Sequence, residues 1–430
     1  MQQVPVAATA VSSRPLLLLG IGVRAYREHL LQRIAARHPV VLADNRVCPA
    51  WAAPYLHDQL VTDLADAESV AAAVKRFAAQ SPLSGVVTYL ENHVELAAQL
   101  AAQLGLPGSS PAAVAACRDK AQTRQRFTAE NVPSALAHAV DDEDAAVQCA
   151  RGIGYPVVVK PRGMAGSAGV LRADADAEVR RAYRRATRET LPGLDGYAVP
   201  GVLVEEYLAG PEISAETVVL GGSKVRIVAV TRKRLGAEPR FVETGHSVDA
   251  RDPLLTDAAV TEAVTRAVRA LGIERGVLHV ELRLTERGPV LIEVNARPGG
   301  DLIPLLVLRA TGIDLAQATA ALAAGAVPDL TPNRRQAAAI QFLYPAFSGE
   351  VTRLGAPSAL LAEPWLERLV WTRRPGDQVL APPNASISDR LAHWVVTGAD
   401  AAECDQRLVQ VLMQVDARTD APVHTTSCTR

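Results

Sequence analysis

The sequence predicts a mixed fold, α/β at its start and α+β beyond, with an N-terminal parallel α/β domain, a larger core and a C-terminal β-rich domain. Three patterns in the chain carry that expectation. Up to about residue 110, short apolar runs alternate with helix-spaced apolar residues. Residues 279–300 read as a β-hairpin with its polar residues gathered in one row. Beyond about residue 330 the chain turns to short β signals closed by one helix.

The N-terminal part opens with Leu16 to Leu19, then Gly20-Ile21-Gly22, a helical pattern through Leu30, Leu31, Ile34 and Ala35, and a strand at Val40-Val41-Leu42. This is a βαβ unit, and a further strand from Gly85 to Tyr89 before a helical stretch at 94–104 extends it into a parallel α/β domain. Gly20-x-Gly22 lacks the rest of a dinucleotide fingerprint and marks a tight strand-to-helix turn. The apolar run 16–23 is far too short to span a bilayer, and the residues before it lack the charged start and cleavage pattern of a signal peptide.

With 430 residues, 49% of them hydrophobic, the chain can bury several cores, at roughly 100–200 residues per domain. A net charge of −1, from 45 basic and 46 acidic residues, supplies no general field for nucleic acid or an anionic membrane. Any anion must be held by a local site. Cys48, Cys117, Cys149, Cys404 and Cys428 are scattered, with no Cys-x-x-Cys pair, so neither a disulfide framework nor a zinc site is indicated. A reducing cytoplasm is the expected home.

The core begins near Lys120 with a helical stretch at 121–131 and reaches a strand, Tyr155-Pro156-Val157-Val158-Val159-Lys160-Pro161. Alternation places Lys160 at the strand end on the side of Val158. The next residues, 162–170, contain Gly163, Gly166 and Gly169 with Ser167, a loop whose backbone amides can approach anionic oxygens and which can close over a nucleotide. It is not a Walker loop, since the lysine precedes the glycines. Alone, it fits an ordinary surface hairpin as well. Further on, Val202-Leu203-Val204-Glu205-Glu206-Tyr207-Leu208 is a strand running into an extended segment, able to offer backbone groups to an adenine edge. Tyr207 and Leu208 supply apolar flanks and Glu212 an acceptor for ribose hydroxyls. Residues 258–271 carry Val260, Val264, Val268 and Leu271 at helical spacing, stopped by Gly272.

In the hairpin, Val280, Leu282 and Leu284 form an apolar row opposite His279, Glu281 and Arg283. After the turn Glu286-Arg287-Gly288, the return strand reads as Val290, Ile292 and Val294 on the apolar side and Glu293, Asn295 and Arg297 on the other. Glu281, Glu293 and Asn295 then converge as hard oxygen ligands, a set suited to Mg²⁺ held by carboxylates and substrate phosphates, with Arg297 at its rim. An ordinary wet strand pair is the competing reading. Two acids, an amide and an arginine in one row, followed by Pro298-Gly299-Gly300, weigh against it.

In order and spacing, Lys120, Lys160-Pro161 with its glycine loop, Glu205 to Leu208 with Glu212, and Glu281 with Glu293-x-Asn295 resemble the ATP-grasp superfamily over about residues 115–305. Within it, His279-x-Glu281 and Arg297-Pro298-Gly299-Gly300-Asp301 are most similar to bacterial L-amino-acid ligases and carnosine-synthase-like dipeptide-forming enzymes. The resemblance implies an ATP-grasp fold with three divisions: a pre-ATP-grasp domain (1–113), a core (114–330, with a central subdomain at about 125–208 and the metal hairpin at 277–300) and a C-terminal domain (331–430). It implies that Lys120 and Lys160 contact ATP phosphates, that Glu205, Glu206, Tyr207 and Leu208 bind adenine, and that Glu212 holds ribose. Glu281, Glu293 and Asn295 would hold one or two Mg²⁺ ions, with Mn²⁺ as a substitute. Arg297 would neutralise the transferring phosphoryl group, with Gly166 and Ser167 in the loop that covers it.

The implied reaction joins an amino acid to a second amino acid or amine through an acyl phosphate, releasing ADP and phosphate. A bicarbonate-activating carboxylase and a nonenzymatic ATP-binding regulator are the alternatives. Glu243 and His246, between the core motifs, are weaker candidates for the substrate amine, and Glu216 and Asp301 weaker still. The expected partners are small molecules, with neither nucleic acid nor membrane, in a possible homodimer. In the C-terminal part, β signals at 337–344, 351–354, 369–372 and 393–397 precede a helical stretch at 404–415. Trp365, Trp371 and Trp394 read as packing residues, and the polar residues after Asp416 as a frayed tail.

Overall fold

A computed structural model describes residues 14–190, 199–222 and 224–420. Its first sheet contains β1 (Leu16–Leu19), β2 (Val40–Asp44), β3 (Asp58–Val61) and β4 (Gly85–Val87), all parallel, in the order β3-β2-β1-β4. Both faces are covered, which is why β1 is an unbroken run of leucines. Leu17 and Leu19 pack with Val70, Val74 and Leu100 on one side. Leu16 and Leu18 pack with Ile34 on the other, together with Ala316 and Ala320 from the much later helix Leu315–Ala323. Gly85 admits that helix, because a Cβ there would meet the Ala323 carbonyl oxygen at 2.3 Å.

The second sheet is antiparallel, with β5 (Ala137–Val140), β6 (Val157–Pro161), β7 (Leu171–Ala173) and β8 (Val202–Glu206) in the order β5-β8-β6-β7. Its Val157, Val159, Val202 and Val204 face the helices Glu143–Ile153 and Asp176–Arg188. The period of 2 sends Val158, Lys160 and Glu205 to the opposite, open face.

The remaining strands are β9 (Glu212–Leu220), β10 (Val225–Leu235), β11 (Glu243–Asp249), β12 (Arg275–Thr285), β13 (Gly288–Asn295), β14 (Ala337–Leu343), β15 (Gly349–Gly355), β16 (Leu366–Trp371), β17 (Gln378–Val379), β18 (Ala392–Gly398) and β19 (Asp416–Asp420). Eight of them form one antiparallel sheet, β13-β12-β9-β10-β11-β14-β18-β16, and β17-β15-β19 make a small one. Helix Ala258–Leu271, stopped by Gly272 at φ +72°, covers one face of the large sheet. Helix Ile303–Thr311 covers part of the other, which also bears the polar row of the hairpin. Among the described residues no single helix is long and apolar enough to cross a membrane.

The C-terminal part is rich in antiparallel strands as expected, and three of them, β14, β18 and β16, complete the large sheet. Two expectations need correction. Asp416–Asp420 is not frayed but pairs with β15, and residues 421–430, including Cys428, lie outside the described residues. The return strand of the hairpin also fails to alternate cleanly. Glu281 pairs with Glu293 while Leu282 pairs with Leu291, so Ile292 is the extra residue of a bulge. Leu291 and Val294 therefore enter the core with Val280 and Leu282, whereas Val290 and Ile292 turn to the opposite side beside Ala135 and Leu208.

His393 on β18 is fully buried between Tyr26 and Phe342, with neither ring nitrogen hydrogen-bonded. Burial, with Arg368 adding to it, pushes its pKa down from 6.5 to about 3. The unfolded chain thus takes up a proton that the fold refuses, and stability is lost as pH falls from 6.5 towards 3. Replacing this ring by an apolar one, His393→Phe, should remove about 1.4 kcal/mol per pH unit from that slope, as read by denaturant melts at pH 7, 6, 5 and 4.

Candidate active site

Two cavities meet on the open faces of the second and third sheets. One is lined by Lys120, Lys160, the loop 164–168, residues 205–208, Glu212, Glu281, Ile292 and Glu293. Every predicted nucleotide residue borders it. The larger one lies between the N-terminal domain, the large sheet and residues 371–390, and shares Ala165, Gly166, Glu243 and Glu281 with the first.

Ala135, Leu208 and Ile292 give the first cavity an apolar wall, with Val290 packed against them. The bulge supplies Ile292 to this wall, a signal that strict alternation hid. After Glu206 the chain leaves the ladder and runs irregularly to Pro211. Gly210, at φ +129°, passes so close to β12 that a Cβ would meet the Leu284 carbonyl oxygen at 2.1 Å. The side chains of this segment are engaged elsewhere. Glu206 pairs with Arg287 at 2.6 Å, and Tyr207 donates its hydroxyl to Glu238 at 2.6 Å with Arg172 over its ring.

Glu205 is tied down as well. It is buried, 2.6 Å from Lys160 Nζ and 3.0 Å from Arg124 Nε. Burial alone would raise its carboxyl, but Arg124 and Lys160 hold it below the usual range. Its carboxylate is a strut that fixes Lys160. Arg124 also donates to the Ile292 carbonyl at 2.7 Å, joining the two sheets.

The acid-rich end centres on Lys233, which the sequence reading missed. Its Nζ lies 2.8 Å from Glu243, 3.0 Å from Glu212 and 3.1 Å from Glu281. Arg232-Lys233-Arg234 reads as a surface charge run, yet the strand period sends both arginines away, to Asp252 and Asp405, and only the lysine to the site. Burial would depress Lys233, but the three carboxylates hold it well above the ordinary lysine value. Arg283 adds a second cation to Glu212 at 3.0 Å.

Register explains the hairpin's contribution. Glu281 stands directly opposite Glu293, and His279 opposite both Asn295 and Glu216. His279 bridges Glu216 at 3.1 Å and Glu281 at 3.1 Å, while Ser214 and Thr231 donate to Glu216 behind it. Burial would lower the imidazole, but the two carboxylates raise it to about 9. Glu216 is thus a fully buried support and not a cleft-facing ligand. Glu293 pairs with Lys120 at 3.0 Å, and Lys120 also donates to the Met164 carbonyl at 2.7 Å, which anchors the glycine loop. In that loop Gly166 and Ser167 are left-handed (φ +64° and +56°), and Gly166 borders both cavities.

The larger cavity contains Arg297, whose Nε is 2.5 Å from Glu91 of the N-terminal domain. His246 is fully buried 3.4 Å from Asp301, and Arg390 grips Asp301 with two 2.8 Å bonds. Glu243, His246 and Asp301 lie close enough to share a metal ion, but Lys233 and Arg390 already neutralise the two acids. Trp394 is a core residue as expected, whereas Trp371 borders this cavity.

Three family models match in chain order: an ATP-grasp N-terminal domain over residues 35–108, an ATP-grasp domain over 153–304 and L-amino acid ligase C-terminal domain 2 over 341–420. Phosphoribosylamine–glycine ligase of Caulobacter vibrioides is 30% identical over 347 residues, 76% of this chain and 77% of that protein. The chain belongs to the ATP-grasp superfamily. It is one of the superfamily's carboxylate–amine ligases. Human carnosine synthase 1 is 30% identical over 270 residues, 59% of this chain, but the match spans only 32% of that longer protein. The crystal structure of an L-amino acid ligase from Bacillus licheniformis superposes with a TM-score of 0.80 at 23% identity, covering 95% of this chain and 99% of that one.

ATP-grasp enzymes use ATP with Mg²⁺. The donor chemistry here fits such an ion: two opposed carboxylates, Glu281 and Glu293, with the Asn295 amide on the same strand, and with Lys233 and Lys120 now paired to the two acids.

Lys233→Met should leave Glu212, Glu243 and Glu281 facing one another without their common cation and cost about 3–5 kcal/mol. The deficit, measured by chemical denaturation, should shrink as pH is lowered into the carboxylate range and protonation relieves the repulsion.

Proposed function

We propose that this ATP-grasp ligase activates one substrate's carboxylate as an acyl phosphate and joins it to the amine of an amino acid or a simpler amine, releasing ADP and phosphate. The observation that carries the reading is the junction of the two cavities. Gly166, Glu243 and Glu281 border both, so a phosphoryl group leaving the nucleotide side emerges where a second molecule can lie.

In this reading Lys120 and Lys160 hold phosphate oxygens, the backbone of 205–208 and the wall of Ala135, Leu208 and Ile292 hold adenine, and Glu212 holds ribose. Glu281, Glu293 and Asn295 would hold Mg²⁺, which would offset the charge of the phosphates. His279, backed by Glu216, keeps the Glu281 carboxylate facing the cleft. Arg297 meets the charge that develops on the transferred group and on the tetrahedral oxygen, a burden mostly met by prepositioned cations. The loop containing Gly166 and Ser167 covers the junction and keeps water from the acyl phosphate. Glu243 borders the junction where the incoming ammonium would arrive and, already paired with Lys233, would accept a hydrogen bond from that ammonium.

The deciding assay follows ADP and phosphate release with Mg-ATP against single and paired amino acids and amines, with bicarbonate as a separate arm. Release that requires an acid and an amine, with a condensed product by mass, is the expected result. Bicarbonate-driven release would instead indicate the carboxylase, and ATP binding without release a regulator. Glu293→Gln should lower Mg-dependent turnover at least about 100-fold, with an apparent Tm within a few degrees of the wild type. Unchanged turnover would remove Glu293 from the metal site.

A further inference from the structure

The charges around the larger cavity do not balance locally. Arg27, Arg297, Arg373 and Arg390 border it, as do Glu91, Glu243, Glu281 and Asp301. The acids are taken: Glu91 by Arg297 and Arg118, Asp301 by Arg390, and both Glu243 and Glu281 by Lys233. Among the described residues, Arg27 and Arg373 have no carboxylate within ion-pair distance. Arg27 extends from the helix Arg24–Ala35 with its guanidinium 5.8 Å from the Tyr89 ring centre. Arg373 follows β16, and its Nε is buried without a hydrogen-bond partner, while its Nη1 reaches only the Thr372 carbonyl at 3.5 Å. Burial, and then the neighbouring Arg297, depress Arg27 to about 10, with Tyr89 and Asp301 offsetting only part of the shift.

Two half-buried guanidiniums without anions are costly, and a planar carboxylate is the group their donor forks fit. The activated carboxylate does not fill this need, because in the acyl phosphate the acyl oxygen is neutral and the negative charge sits on the phosphoryl oxygens, which the reading above gives to Mg²⁺, Lys120, Lys160 and Arg297. An ordinary amino acid acting as the amine leaves one carboxylate, which satisfies one arginine. We propose that one substrate carries an additional anionic group, as a dicarboxylic amino acid does, and that Arg27 and Arg373 select it. The class of substrate rests on the ligase reading above, whereas the anion preference can be measured without turnover.

The test compares isosteres that differ only in charge. L-glutamate against L-glutamine, and L-aspartate against L-asparagine, are titrated calorimetrically into the full-length protein saturated with Mg-ADP. The acidic member of at least one pair should bind at least about tenfold more tightly. Arg27→Gln and Arg373→Gln should each bring that ratio towards one, and Arg27→Lys should restore part of it. The same ratio should appear in kcat/KM for ADP release. Equal binding of acid and amide in both pairs would overturn the proposal, with no variant needed. So would a ratio that survives both substitutions, or an Arg27→Gln effect confined to inorganic phosphate, which would assign that arginine to the nucleotide end. Acid-selective binding without ADP release in any acid–amine combination would leave the selection in place and reject the ligase reading.

Discussion

The site depends on one electrostatic constraint: carboxylates from three strands are brought together on one buried sheet face, and a single lysine holds them there. Glu212, Glu243 and Glu281 come from β9, β11 and β12, and Lys233 from β10 lies within 3.1 Å of each. Without that cation the sheet would have to protonate its acids or separate them, since unpaired charges are too costly to bury. The same logic repeats outward. Lys160 and Arg124 hold Glu205, Lys120 holds Glu293, Arg390 holds Asp301 and Arg297 holds Glu91. Each pair joins two parts of the chain, so the charges that would handle a nucleotide also set how the sheets approach.

The architecture serves that network. The parallel N-terminal sheet is buried on both faces and contributes only from its rim, through Arg27 and Glu91. The antiparallel sheets have one covered and one open face, and the open faces confront each other across the nucleotide cavity. Helix Leu315–Ala323, from the core, completes the N-terminal sheet's packing, which fixes the rim against the hairpin. The glycine loop closes the junction, left-handed at Gly166 and Ser167 and anchored through Met164 to Lys120.

Much of this was legible in the chain. The leucine run of β1, the valine alternation before Lys160 and the helix at 258–271 have periods that identify their elements and faces, and the carboxylate hairpin was visible as a row. The bulge at Ile292 was not, because one extra residue exchanges the faces of the side chains before it relative to those after it without altering composition. It took Val290 and Ile292 out of the presumed core and placed Ile292 in the wall of the first cavity. Lys233 was hidden between two arginines, although alternation alone separates it from them. Arg390, Arg27 and Glu91 lie hundreds of residues from the hairpin or in another domain, and no local pattern connects them to it.

Sequence by itself therefore determined the kinds of element, the order of the motifs and the chemistry they offer, since these follow from local periodicity and residue type. Only the tertiary structure decided which cation neutralises which acid, that strands beyond residue 331 continue the core sheet, and that among the described residues Arg27 and Arg373 have no acid within ion-pair distance at the larger cavity. Those outcomes depend on long-range register and burial, where the cost of an unpaired charge is set by neighbours that arrive from distant parts of the chain.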